Sequence, residues 1–316
     1  MKNKLFNPGK LFRDESRVTT DSIGDARQGS VYVFDDDIIL AVNVALATGR
    51  PILVRGPSGC GKSSLARSVA NFSQWRYYER VITSRTQARD LLYEVDLLRR
   101  LHDAQVARLQ QDPFADDYTP YIEPGPLWWA FNPASAERRG ASPERWAQWQ
   151  ARVPIDHAAK PPCDYPQGDR AIVLLDEIDK ADPDVPNNLL VPLGSLEFKV
   201  DETEAEIKLA GKAPLVFITT NEERDLPPAF LRRCVELNIK NPNRDRLMEI
   251  GQAHFKDREA WLKEVTNMFI PETAPLEELP STAEYLDVLR AYDVLKPEDD
   301  EWQSIASITA KKRSDV

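Results

Sequence analysis

Pro51-Ile52-Leu53-Val54-Arg55-Gly56-Pro57-Ser58-Gly59-Cys60-Gly61-Lys62-Ser63-Ser64 is the stretch on which the reading of this chain turns. Pro51 to Val54 is apolar and reads as a short buried strand, and a helix is expected from Lys62 to about Phe72. Between them, Gly56 to Ser63 fits the pattern G-x-x-x-x-G-K-[ST] without a mismatch. Glycines in such a loop let successive backbone N–H groups turn inward around an anion, and the helix N-terminus adds partial positive charge. Lys62 is then the expected contact to the β- and γ-phosphates of a nucleoside triphosphate, and Ser63 offers a hydroxyl to Mg²⁺. The competing reading is a glycine-rich turn with a surface lysine. The order strand, loop, helix speaks against it. Cys60 reads as a small filler whose backbone N–H counts, rather than as a redox-active thiol.

Further along, Ile172-Val173-Leu174-Leu175 reads as a buried strand that delivers Asp176-Glu177 at its C-terminal edge, where α/β sheets bind ligands. Asp176 is expected in the Mg²⁺ shell, and Glu177 is expected to orient and deprotonate an attacking water. Alone, an Asp-Glu strand end is weak evidence against a solvated acidic turn; beside the glycine loop it gains weight. Leu215 to Thr219 is another buried strand, and Asn221 after it is expected beside the γ-phosphate and the water. Phe230-Leu231-Arg232-Arg233-Cys234 sets two arginines ahead of the last strand. They suit a neighbouring subunit's phosphate, with a solvated face or a structural salt bridge as the equal alternative.

The remaining periodicities predict a helix from Asp37 to Gly49, a strand over Tyr77–Thr83 and a helix over Thr86–Gln111. A short aromatic helix or turn is expected at Leu127–Phe131, a hairpin over Phe198–Leu209 and a last strand at Val235–Ile239. Helices are expected at Asp245–Phe255, Arg258–Phe269 and Ala283–Leu295. Strands alternating with helices, then helices alone, imply an α/β core, a parallel sheet sandwiched by helices, followed by a small α-helical domain. Residues 1–30 are polar and read as an N-terminal arm, 31–241 as the core, and 242–316 as the helical domain and tail. Asn132 to Asp169, rich in Pro, Ala and Arg, reads as an insertion with one helix around Pro143–Gln150.

The 316 residues are 42% hydrophobic, enough for a sizeable core, and carry a formal charge of −10. The isoelectric point near 5.0 speaks against a constitutive nucleic-acid binder. The N-terminus has no apolar run of signal-peptide character, and no apolar run is long enough for a membrane span. Cys60, Cys163 and Cys234 lack metal-ligand spacing, so a reduced, cytoplasmic setting is expected. His102, His157 and His254 are scattered and read as structural or solvated. Trp128, Trp129, Trp146 and Trp149 read as packing residues ahead of partner anchors.

Taken together, these segments resemble the AAA+ superfamily, and within it the MoxR-like ATPases, over about Phe34 to Lys240. Gly56–Ser63 is similar to the Walker A motif, Ile172–Glu177 to Walker B and Asn221 to sensor 1. Arg233 sits where that family places its arginine finger, with Arg232 as a second candidate. Three stretches resemble MoxR-like proteins in particular: Glu123-Pro124-Gly125-Pro126-Leu127, Asp176 to Ala181, and Asn221-Glu222-Glu223 leading into Leu226 to Arg233. The resemblance implies ATP and Mg²⁺ held by residues 56–64, a ring that is usually hexameric, and a remodelling chaperone. It also implies a protein partner, often one with a von Willebrand factor A domain, and in several relatives a role in antiviral defence. The helical domain is then the family's lid. The family's sensor 2 arginine usually opens a lid helix, yet Pro280-Ser281-Thr282-Ala283-Glu284 has none, and Arg290 lies two turns further on. Slow or partner-controlled hydrolysis is the expectation that follows.

Three other functions compete with an ATP-driven remodeller. One is a nucleotide-gated assembly switch, which the missing arginine favours. Another is a small-molecule P-loop kinase, disfavoured because the Asp-Glu pair, the Asn-ended strand and the arginine pair suit attack by water. The third is nucleic-acid translocation using Arg85, Arg89, Arg99 and Arg100, which read more simply as a solvated face paired with Asp90, Glu94 and Asp96. Tyr32, just ahead of the first helix, is a candidate adenine contact on position alone.

Overall fold

The structure, a computed structural model, describes residues 4–14, 30–110, 117–150 and 167–297. In chain order the elements begin with β1 (Leu11–Arg13), β2 (Val31–Val33), α1 (Asp36–Thr48), β3 (Ile52–Arg55), α2 (Lys62–Ser73) and β4 (Arg76–Val81). Then come β5 (Tyr93–Val95), α3 (Leu97–Gln110), β6 (Ile122–Pro124), α4 (Pro126–Phe131), α5 (Pro133–Glu137) and α6 (Pro143–Gln150). They are followed by β7 (Ala171–Asp176), α7 (Asp184–Ser195), β8 (Glu197–Val200), β9 (Ala205–Lys208) and β10 (Leu215–Thr220). The described chain ends with α8 (Pro228–Leu231), β11 (Val235–Asn238), α9 (Arg244–His254), α10 (Glu259–Phe269) and α11 (Thr282–Leu295).

Five strands form the central parallel sheet in the order β11-β3-β10-β7-β4. β10 runs parallel to β7 from the pair Leu215↔Ile172 to Ile218↔Leu175, and β4 pairs β7 from Arg76↔Ala171 to Val81↔Asp176. Parallel strands are covered on both faces, which is why β7 and β10 are buried at every position rather than alternating.

The chain divides into two compact units, one of Val44–Leu53 with Gln74–Val235 and one of Met1–Asn43, Val54–Ser73 and Glu236–Val316. In the first of these, Val173, Leu175, Val216 and Ile218 pack with Trp128, Phe131 and Phe230 in one apolar cluster. Trp128, Trp129, Trp146 and Trp149 are all buried, so the packing reading of these rings holds. The segment that reads as an insertion from Asn132 is packed structure as far as Gln150. Asn132 caps α5 by accepting from the Ser135 N–H at 3.0 Å, and Trp149 Nε1 donates to Asp117 Oδ2 at 2.9 Å. Its remainder from 151 to 166, with His157 and Cys163, lies outside the described residues.

The helix expected over Thr86–Gln111 begins only at Leu97. Before it stand a 3-10 turn at Arg89–Leu91 and strand β5, which pairs antiparallel with β6. Leu91 closes that turn and Tyr93 opens the strand, and both are buried. Gly125 fixes this corner, since a Cβ there would stand 2.7 Å from the Leu91 carbonyl oxygen. Asp96 caps α3 by accepting from the Arg99 N–H at 2.9 Å. Leu97, Leu98 and Leu101, which look like a helix's apolar stripe, are exposed. Of the arginines on this segment, Arg89 pairs Glu202 at 3.4 Å, Arg99 pairs Asp103 at 3.9 Å and Arg100 stacks on Tyr118 at 3.8 Å from the ring centre. None of these partners is Asp90, Glu94 or Asp96: Arg89 lies before the helix, and Arg99 meets Asp103 one turn further on within α3.

In the second unit α9, α10 and α11 enclose a small core of Leu247, Leu262, Val265, Tyr285, Val288 and Leu289. Tyr285 OH and Thr266 Oγ1 share a buried hydrogen bond of 2.7 Å. Residues 4–14 pack within this same unit. Phe6 is 2% exposed, with Phe34 and Phe72 edge-on to it, and Asn43 Oδ1 accepts from the Leu5 and Phe6 N–H groups. β1 pairs antiparallel with β2, and Arg13 donates to the carbonyls of Ala253 and His254 at the end of α9.

Burial, with Arg290 and Arg13 nearby, pushes the His254 imidazole down to about 4. Its folded value lies below the unfolded one of 6.5, so the neutral ring contributes its full stability above pH 6.5. That contribution is lost as pH falls from 6.5 towards 4, because the unfolded chain takes up the proton first. Urea unfolding across this window is expected to show an acid loss of about 1–3 kcal/mol that His254→Asn removes.

Candidate functional site

The phosphate loop lies in the unit that contains α2. β3 ends at Arg55, where the Ile239 N–H donates to the Arg55 carbonyl at 2.8 Å, and the loop leaves the strand at Gly56. Three of its glycines take positive φ: Gly56 at 147°, Gly59 at 78° and Gly61 at 95°. The first two are closely approached. A Cβ on Gly56 would stand 2.2 Å from the Ile239 carbonyl oxygen, and one on Gly59 would stand 2.7 Å from Ser281 Oγ. Position 61 faces the Tyr32 ring, with Cε2 at 3.7 Å from where a Cβ would be. Lys62 is only 6% exposed, and its ammonium donates to the Gly56 and Pro57 carbonyls at 2.6 and 2.7 Å. The loop is thus folded around its own lysine. Ser63 and Ser64 are half-buried in the first turn of α2, where the Leu65 N–H donates back to the Gly61 carbonyl.

Cys60 is buried, and burial pushes its thiol up against the opposing pull of Lys62, so it is held as the neutral, unreactive form. Burial, with Cys60 and Asp35 close by, likewise raises the Tyr32 phenol above its ordinary range. At the start of α11, Ser281 and Glu284 form a reciprocal capping box, and the Ala283 N–H donates to the Gly59 carbonyl at 3.1 Å. The helix start where an arginine is missing therefore meets the phosphate loop through backbone. Arg290 pairs Asp287 at 3.7 Å and lies near His254.

The acidic strand end lies in the other unit. Asp176, 2% exposed, accepts a 2.6 Å hydrogen bond from Thr219 Oγ1, and the same Thr219 oxygen accepts from the Glu177 N–H at 2.9 Å. Glu177 itself has φ 65°, a left-handed conformation uncommon outside glycine. That turn folds the chain into the 3-10 segment Ile178–Lys180 and brings Lys180 Nζ to 2.8 Å from Glu177 Oε2. The other carboxylate oxygen accepts from Asn221 Nδ2 at 3.4 Å. Asp179, 3% exposed, holds the loop after β10 by accepting from the Asn221 and Glu223 N–H groups at 3.1 and 3.0 Å.

The structure thus brings Asp176, Glu177 and Asn221 together. Thr219, Asp179 and Lys180 join them, and sequence reasoning assigned these three no role. The Glu-x-x-Lys spacing of a tight turn was the one readable signal for Lys180. Thr219→Val is expected to lower stability by about 1–3 kcal/mol in chemical denaturation, since it removes a buried bridge between two acidic residues. Arg232 and Arg233 are exposed after the buried anchor Phe230; their N–H groups donate to the Pro228 and Phe230 carbonyls, and neither side chain makes a hydrogen bond or ion pair among the described residues.

The donor set expected for a metal, the Ser63 hydroxyl and the Asp176 carboxylate, is all oxygen. It suits Mg²⁺, which keeps several waters and takes phosphate oxygens rather than an all-protein cage. Among the described residues no cluster of three or more His, Cys, Asp or Glu side chains could hold a metal by itself. No described helix is long and apolar enough to cross a membrane.

Comparison with known proteins places these residues in a family. Residues 51–234 match the family model of the AAA domain, dynein-related subfamily. No curated protein sequence gives a significant match. Among solved structures, a point mutant of Thermotoga maritima RuvB is 15% identical, covering 86% of this chain and 68% of its own, with a TM-score of 0.43. A putative ATPase from Cytophaga hutchinsonii is 12% identical over 85% of this chain and 78% of its own, with a TM-score of 0.42. The FIGL-1 AAA domain in complex with ADP is 15% identical over 84% and 72%, with a TM-score of 0.38. All three scores lie below 0.5, so the assignment rests on the sequence match. That match runs from the residue before β3 to the residue before β11, and the chain belongs to the AAA domains of the dynein-related subfamily.

Proposed function

We propose that this protein binds ATP with Mg²⁺ through Gly56, Pro57, Ser58, Gly59, Cys60, Gly61, Lys62, Ser63 and Ser64, and hydrolyses it to remodel or assemble a protein partner. The observation that carries this reading is the phosphate loop itself: three glycines at positive φ around a buried lysine, on the family's strand, loop and helix. Lys62 binds the β- and γ-phosphates, Ser63 and Asp176 would hold the Mg²⁺, and Tyr32, beside Gly61, contacts the adenine. When bound, the ion neutralises charge developing on the phosphates. Glu177 orients and deprotonates the attacking water while Asn221 fixes both. Arg233, with Arg232 as the alternate, reaches the phosphates of a neighbouring subunit in a ring. The exposure of both arginines supports that reading.

A MoxR-like place within the superfamily, a hexameric ring and a von Willebrand factor A partner are the finer parts of the same proposal. Titration with a fluorescent ATP analogue and Mg²⁺, competed by ATP and GTP, tests the nucleotide. Particle images with and without ATP test the ring. No measurable affinity for any nucleoside triphosphate would end this interpretation. A second reading, a nucleotide-gated switch in a signalling or defence complex, is favoured by the start of α11, where Pro280–Glu284 offer no arginine. Turnover that stays slow whatever partner is added would select the switch.

A further inference from the structure

Both oxygens of Glu177 are engaged, Oε2 by the Lys180 ammonium at 2.8 Å and Oε1 by the Asn221 amide at 3.4 Å. The geometry points to Lys180 as a brake on hydrolysis, a positioning residue that holds the carboxylate on which water must act and lowers its basicity. The inference rests on the proposed reading of Glu177 as the general base.

Three features make the pair a built arrangement rather than a chance surface contact. The left-handed turn at Glu177 and the 3-10 segment after it fix the spacing between the two side chains. The Glu177 N–H is held by Thr219, so the backbone that carries the carboxylate is fixed as well. Glu223 and Asp179 lie near the ammonium and, with Glu177, hold Lys180 above its ordinary value, the hydrogen bond to Glu177 being the largest cause. The lysine therefore stays charged.

In the hydrolytic step the water oxygen bonds to the γ-phosphorus, and the bond from that phosphorus to the β,γ-bridging oxygen breaks. ADP leaves with that electron pair, and the water's proton passes to Glu177 and then to solvent. The ammonium draws negative charge from that carboxylate and holds it turned towards Lys180, which makes it a weaker base for the water. The step therefore draws on the fraction of molecules in which the pair is open. Side-chain exposures of 41% for Lys180 and 27% for Glu177 make this a weak ion pair, readily opened. A partner that offers its own carboxylate to Lys180 would release the brake, and such an acidic contact is the class of regulator that fits.

The test measures phosphate release by the full-length chain with MgATP. Lys180→Met is expected to raise kcat about three- to five-fold, with KM for ATP unchanged, as loss of a half-exposed pair implies. Lys180→Arg, which keeps the charge, is expected to restore most of the brake. Raising potassium chloride is expected to speed the parent protein towards the Lys180→Met rate and to leave that variant flat. A readout apart from turnover is amine acylation of Lys180 in nucleotide-free protein, followed by mass spectrometry. It is expected to quicken about three-fold in Glu177→Gln, where the charged partner is gone. Equal acylation in both proteins, or a kcat that is unchanged or lower in Lys180→Met, overturns the brake. Affinity for ATP without phosphate release in any variant overturns the hydrolytic reading instead, and the brake with it.

Discussion

Lys62→Ala is expected to weaken ATP binding at least about a hundredfold, because a buried ammonium facing phosphate is worth several kcal/mol when its partner is lost. The lysine is already enclosed, with its charge held against the Gly56 and Pro57 carbonyls and 6% of its surface exposed. To meet an anion cradled by the same loop, it exchanges these carbonyls for charged phosphate oxygens, which are stronger acceptors. Arginine is not an equivalent, since a planar fork does not fit the space of a compact point charge. Isothermal titration with MgATP measures the effect, and circular dichroism with a melting curve shows whether the variant folds. A folded Lys62→Ala protein that binds ATP as tightly as the parent would remove the basis of the proposed function.

Glu177→Gln separates binding from chemistry. The amide keeps the size of the carboxylate and its hydrogen bond from Asn221, and it loses the ability to take a proton. Turnover is expected to fall about 10²- to 10⁴-fold, the range for a positioned general base, while the ATP dissociation constant stays within about three-fold. This effect and that of Lys180→Met have opposite signs although the two residues are paired, so a single steady-state assay distinguishes base from brake. Unchanged phosphate release from Glu177→Gln would reassign the base.

How much of this was legible in the sequence depends on how local each feature is. The phosphate loop and the strands β3, β7 and β10 are written in contiguous residues: glycines at fixed offsets, and apolar runs that end in a polar side chain. Those stretches were read correctly to within a residue or two. The segment 86–96 was misread because Leu91 and Leu92 continue the leucine series of the helix that follows. What holds them out of a helix is distant in sequence, namely the pairing of β5 with Ile122–Pro124 and the close approach of Gly125. The same reason hid the support around the acidic strand end. Thr219 reaches Asp176 across 43 positions and Asp179 reaches the Asn221 N–H across 42, contacts that exist only once β7 and β10 are side by side. Phe6 falls in no apolar period, and its burial depends on Phe34 and Phe72, both distant in sequence.

The hydrogen bond from the Ala283 amide to the Gly59 carbonyl makes α11 a lever whose footing is the loop itself. Fourteen residues of helix span about 21 Å, so a tilt of 5° at the footing carries the far end through about 2 Å. Because α11 shares its core with α9 and α10, that sweep belongs to three helices at once. Filling or emptying the loop would then be felt furthest from where it happens, as displacement rather than as charge.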